Sequence, residues 1–132
     1  MKSVRYGKLE LEAPASRNQI QVFESEAGIR LPEDYASFLL HSNGAEGFVN
    51  PERYLALWKV EEIMHLNRDY AFDKHLPGFL CIGSDGGGEG LAFNYNIESR
   101  PIVMVPFSDL SYSSAIIVAS SFDALTRVSQ HW

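Results

Sequence analysis

The chain has 132 residues, 45% of them hydrophobic, which suits one domain over residues 1–132 with one shared core rather than two independent domains. A single cysteine excludes an intramolecular disulfide and a cysteine-built zinc site and fits a reducing compartment, and no apolar run approaches the roughly 20 residues that cross a bilayer. The formal charge of −6 disfavours nucleic-acid phosphate as a partner and favours a basic protein surface.

Lys2 and Arg5 open the chain, but Tyr6, Gly7, Lys8, Glu10 and Glu12 follow without an apolar stretch of signal-peptide length, so a cytoplasmic protein is expected. Alternation at Val4 and Tyr6, then Leu9 and Leu11, predicts a strand or extended arm that Pro14 ends. Ser16 is placed as an N-cap, Ile20, Phe23 and Ala27 recur at helical spacing, and Gly28 is a C-terminal stop, which predicts a helix over 16–27. A second helix starts at Leu31-Pro32, where proline fits the first turn and Glu33 and Asp34 suit the positive end of the dipole. Tyr35, Phe38 and Leu39 form its apolar face, and Asn43-Gly44 is read as its left-handed terminator.

Strand patterns follow at Phe48-Val49 and over 54–60, where Tyr54, Ala56 and Trp58 share one side. Residues 61–70 read as a helix through Ile63, Leu66 and Tyr70, and Pro77-Gly78 separates it from the next strand at 79–82. Residues 83–88 are expected to form a flexible loop, giving with the alternating run at 91–95 a hairpin with a long connection. Another strand spans 102–105, between Pro101 and Pro106, and 115–118 is a further strand or the lead-in to a final helix. That helix is capped by Ser121, with Phe122, Leu125 and Val128 inward. This order predicts an α+β fold: a mostly antiparallel sheet with two N-terminal helices, a middle helix and a C-terminal helix.

The most unusual segment is Gly83-Ser84-Asp85-Gly86-Gly87-Gly88-Glu89-Gly90. It lacks the Gly-Lys-Ser/Thr ending of a phosphate-binding loop, the spacing of a dinucleotide fingerprint and the glycine two residues before the serine that a nucleophile elbow needs. Asp85 and Glu89 with loop carbonyls could hold a hard cation, but the spacing is not that of an EF-hand and two carboxylates bind calcium weakly. The favoured reading is that the glycines let the loop fold tightly over a sheet edge, leaving the acids in water. His41, His65, His75 and His131 lack metal-ligand spacing, and nothing marks Cys81 as reactive. The carboxylate pairs Glu33-Asp34 and Glu61-Glu62 stand at helix starts, where the dipole accounts for them. Trp58, Tyr54 and Tyr70 are amphipathic aromatics able to anchor an interface, although core packing is the favoured role for Trp58.

The segment Ile20-x-x-Phe23-Glu24-x-x-x-Gly28-x-x-Leu31-Pro32-Glu33-Asp34-Tyr35-x-x-Phe38-Leu39-x-x-x-Asn43-Gly44 resembles the N-terminal signature of the SUKH superfamily, in its Smi/Knr branch. The resemblance continues to about residue 128. It implies a non-enzymatic α+β domain. Bacterial members act mainly as immunity proteins that neutralise toxins, often nucleases, and fungal members regulate cell-wall synthesis. Phe93-Asn94 departs from the pattern, since many members carry an aspartate there. The resulting expectation is a binding protein with no catalytic residues, cofactor or metal, in contact with neither nucleic acid nor membrane. Its partner is a basic, nuclease-type toxin domain occluded by Asp85, Glu89, Glu46 and Trp58. The alternatives are a sensor or enzyme holding a metal or small ligand at Asp85 and Glu89, or a scaffold for endogenous proteins; oligomeric state is left open.

Overall fold

The computed structural model describes residues 8–127. The expected alternation at Val4 and Tyr6, the inward Val128 and His131 lie outside them.

The first helix, α1 (Arg17–Ala27), starts on a capping box: Gln19 N–H donates to Ser16 Oγ at 3.0 Å, and Ser16 N–H donates to Gln19 Oε1 at 2.9 Å. It ends where Gly28 takes φ +70°. The second helix, α2 (Glu33–His41), begins just after Pro32 and buries Tyr35, Phe38 and Leu39. Its end differs from expectation. Ser42 leaves the helix in an extended conformation, so Asn43-Gly44 is not a left-handed terminator. Gly44 serves a different need, because a Cβ there would lie 2.8 Å from the Leu57 carbonyl oxygen.

Among the described residues, seven strands form one antiparallel sheet in chain order: β1 (Glu10–Leu11), β2 (Ala45–Asn50), β3 (Arg53–Leu57), β4 (Phe79–Ser84), β5 (Glu89–Asn94), β6 (Ile102–Pro106) and β7 (Ile116–Ala119). Every strand neighbours its sequence successor, so the sheet is a meander with helices inserted in two of its connections. The α+β class is therefore as expected. Helices α1 and α2 join β1 to β2; α3 (Val60–Asp69) and α4 (Phe72–His75) join β3 to β4; α5 (Phe122–Thr126) closes the described chain.

The inner side of the sheet carries the main core. Ile20 and Phe23 of α1, Tyr35 and Phe38 of α2, Ile63 of α3 and Phe122 of α5 meet Leu55, Leu91, Phe93 and Ile102 there. Tyr35 links the layers, its ring centroid 5.3 Å from Phe93 and 5.0 Å from Phe122. A second core on the outer side joins Phe72 and Leu76 to Cys81, Ala92, Val103 and Val105. Strands β5 and β6 are thus buried on both faces, which is why 102–105 reads as an unbroken apolar run.

Two further expectations are corrected, and one helix was not foreseen. Strand β3 stops at Leu57 and α3 starts at Val60, because Asn43 Oδ1 accepts the Val60 N–H at 2.8 Å and fixes the helix start. The short helix α4 follows Ala71, whose φ of +65° no pattern signals. The glycine-rich stretch is not a long connection: β4 runs through Ser84 and β5 begins at Glu89, leaving a tight hairpin turn at 85–88.

Where β3 turns away, the edge of β4 loses its strand partner. Asn67 on α3 replaces it, accepting the Cys81 N–H at 2.8 Å and donating to the Cys81 carbonyl at 2.9 Å and the Ile63 carbonyl at 2.7 Å. The buried amide thereby spends both its N–H groups and leaves Cys81's backbone paired on that side.

Candidate interaction face

Among the described residues, the sheet's outer side is covered over β4–β6 and bare over β1–β3. In β2, Ala45 and Val49 are buried in the main core while Glu46 and Phe48 are exposed. Register places Glu46 opposite Ala56 and Phe48 opposite Tyr54, so β3 continues the same face. Phe48 is 48% exposed and meets Tyr54 edge to face at 5.0 Å. Trp58, just past the end of β3, stacks on Tyr70 at 5.9 Å, and Tyr70 stacks on Phe107 at 4.1 Å. Phe107 leans edge-on against buried Phe72 at 6.4 Å, which anchors this aromatic row to the outer core.

Carboxylates border the bare face. Glu10 on β1 stands directly opposite Glu46, a like-charge pair that neighbouring strands ordinarily avoid. The Tyr54 hydroxyl donates to Glu46 Oε2, and that bond, followed by partial burial and the charges of Glu46 and Glu10, raises the phenol above its usual pKa.

The hairpin turn leans on the same face, since a Cβ at Gly86 would lie 2.6 Å from the Tyr54 ring. Asp85 folds the turn itself: its Oδ1 accepts the Gly87 N–H at 2.8 Å and the Glu89 N–H at 3.2 Å. Glu89 belongs to strand β5. Its neighbour Gly90 pairs with Val105 of the outer core, so alternation turns Glu89 towards the inner side. Partial burial lowers the pKa of the Arg53 guanidinium, and the charges of Asp85 and Glu89 act in the opposite direction. Of the four residues singled out in the sequence, the structure therefore places Glu46 and Trp58 on the bare face, Asp85 at its rim and Glu89 on the other side.

Sequence reasoning missed Glu10 and Phe48 as parts of this face, and Phe107 as the ring that joins its aromatic row to the covered half. The available signal was the alternation of Glu46 and Phe48 with buried Ala45 and Val49, which extends the strand that Phe48-Val49 only hinted at.

The remaining reactive groups do not gather. Burial pushes the Cys81 thiol up to about 12, against a smaller opposing effect of the backbone at Gly83 and Leu91, so it stays protonated at neutral pH, where it donates to the Gly83 carbonyl. Among the described residues, no cluster of three or more His, Cys, Asp or Glu side chains is placed to hold a metal ion. Nor, among them, is any helix long and apolar enough to cross a membrane. A cleft of about 440 Å³ between α1, α3 and the start of β4 is lined by Ala27, Met64, Phe79 and Tyr95, and neither Asp85 nor Glu89 reaches it.

The signature residues near the N-terminus, by contrast, are occupied in building the scaffold. Glu24 Oε2 accepts the Leu31 N–H at 2.8 Å, and Asp34 Oδ2 accepts the Asp123 N–H at 2.8 Å, tying α2 to the start of α5. Asn43 also donates to Glu61 Oε1 at 2.8 Å. Asn94 Oδ1 accepts the Asn96 N–H at 2.9 Å in a local turn.

These features define a small α+β domain whose helices shield one side of an antiparallel meander and leave part of the other side open. The chain belongs to the SMI1 / KNR4 family (SUKH-1), whose sequence pattern matches residues 14–127. No curated protein matches it at a significant level. Membership is consistent with a toxin-immunity or Smi/Knr-type protein and with a protein partner.

Proposed function

We propose that this protein is a non-enzymatic, cytoplasmic immunity protein that binds a basic, nuclease-type toxin and covers the toxin's cationic surface with the bare outer face of β1–β3. The observation that carries this reading is the open face itself: Phe48 and Tyr54 meet beside the opposed Glu10 and Glu46, and Trp58, stacked on Tyr70, follows at the end of β3. Aromatic side chains offer large contact area at low entropic cost and are frequent interface anchors. Two facing carboxylates repel each other, and a cation from a partner would relieve that repulsion. A net charge of −6 would also steer the protein towards a basic surface. The mechanism is occlusion, with no bond made or broken.

The test is co-expression with a basic nuclease toxin domain encoded beside this chain, paired with titration calorimetry. Wild type should restore growth and bind. Glu46→Lys should weaken binding at least about tenfold, chiefly through slower, salt-dependent association. Glu89→Lys, on the other side of the sheet, should leave affinity within about twofold. Equal losses from the two reversals would contradict the assignment of the face.

A further inference from the structure

The geometry points to a second interaction surface at the opposite end of the sheet: the free edge of β7 pairs with β7 of another copy of this chain, joining two sheets across a twofold axis. Among the described residues, strand β7 is the last in the sheet and is paired only with β6. Its Ile116 and Ile117 are 61% and 60% exposed. The other edge, β1, has only two residues and is lined by Glu10 and Glu12, the short and charged form in which natural sheets blunt an edge. No such charge guards β7, for none lies between Asp109 and Asp123.

The sequence of the edge identifies the occupant. Ser113-Ser114-Ala115-Ile116-Ile117-Val118-Ala119-Ser120-Ser121 reads the same in both directions about Ile117, apart from the exchange of Ile116 with Val118. In an antiparallel pair, residue numbers facing each other have a constant sum. A twofold axis at Ile117 therefore sets Ile117 against itself, Ile116 against Val118 and Ala115 against Ala119, while Ser114 stays in the 3-10 helix that precedes the strand. Branched residues meet branched residues and small ones meet small ones, which favours cross-strand packing. Two copies of a chain with charge −6 repel each other, and this edge lets them meet without apposing like charges.

A bulge limits the contact. Register steps from Val103↔Ile117 to Ile102↔Ala119, leaving Val118 with no partner on β6. The regular ladder is short, so the dimer should be weak, with an interface below about 1,200 Å² and a dissociation constant of micromolar order or higher.

Sedimentation velocity on the full chain, over a series reaching roughly 0.5 mM, should show a dimer that grows with concentration. Ile117→Lys and Ile117→Asp, at an exposed position that leaves the fold intact by circular dichroism, should each raise the dissociation constant at least about tenfold by setting like charges face to face. Mixing the two variants should restore a heterodimer, because residue 117 opposes itself only in this register. A monomer at every concentration would assign the edge to another segment of the chain or to another protein and overturn the proposal. Dimerisation untouched by the single variants, or a mixture that stays monomeric, would overturn it equally.

Discussion

The two halves of the sheet differ in what lies over their outer side, and the difference is written in their strands. Over β4–β6, Phe72, Leu76 and Phe107 close the face, and the strands are apolar at successive positions, as in 91–93 and 102–105. Over β2 and β3, among the described residues, no helix covers the face, and exposed Glu46 and Phe48 alternate with buried Ala45 and Val49. The covered half is committed to stability, and the bare half is free to meet a partner. Substitutions can therefore be ranked by the half they strike.

The largest contrast should come from two phenylalanines. Phe93 is fully buried, and Phe93→Ala should cost about 3–5 kcal/mol of unfolding free energy by opening a cavity. Phe48→Ala on the bare half should cost about 1 kcal/mol or less in the same denaturant titrations. Near-equal losses would break the comparison.

Asn67 holds the seam between the halves. Asn67→Ala would strand the Cys81 N–H and carbonyl inside the protein, and we expect a loss of about 2–4 kcal/mol. Amide exchange at Cys81 should accelerate along with it.

A gain is expected at Tyr35. Its hydroxyl is buried and, among the described residues, has no hydrogen-bond partner, so burial drives its pKa far above the usual phenol value. Tyr35→Phe removes the unpaired group while keeping the ring, and should raise stability by about 0.5–1 kcal/mol in thermal melts. A loss of stability would show that the hydroxyl is paired in solution.

The smallest effect concerns Glu61. The Asn43 amide holds its carboxyl below the usual range against the opposing effect of burial, with smaller help from Glu61's own backbone N–H and from Lys59. A depressed folded pKa contributes stability above the unfolded value and loses it as pH falls through the folded one. The advantage of wild type over Glu61→Gln should be a few tenths of a kcal/mol at pH 7, given solvent screening, and should be lost as pH falls through the depressed folded pKa.

Much of the scaffold was legible in the sequence because its signals are local. Ser16 and Gly28 bracket α1, and the spacing of Tyr35, Phe38 and Leu39 marks α2. What escaped depends on partners distant in the chain. Nothing near Asn67 foretells that it would complete the edge of β4, and nothing near Asn43 foretells that it would cap α3. The face was half legible for the same reason. Alternation put Tyr54, Ala56 and Trp58 on one side, but grouping Asp85 with Glu89 as one acidic loop overlooked that strand β5 starts at Glu89 and turns that side chain away.

The central claim is that a protein partner docks on the bare outer face. Hydrogen exchange on the complex with the basic toxin domain tests it most directly. Slowed exchange centred on β2, β3 and the hairpin at 85–88, with α1 unchanged, is the expected footprint. Protection concentrated on α1 and the cleft beside it, with β2 and β3 unaffected, would contradict the account.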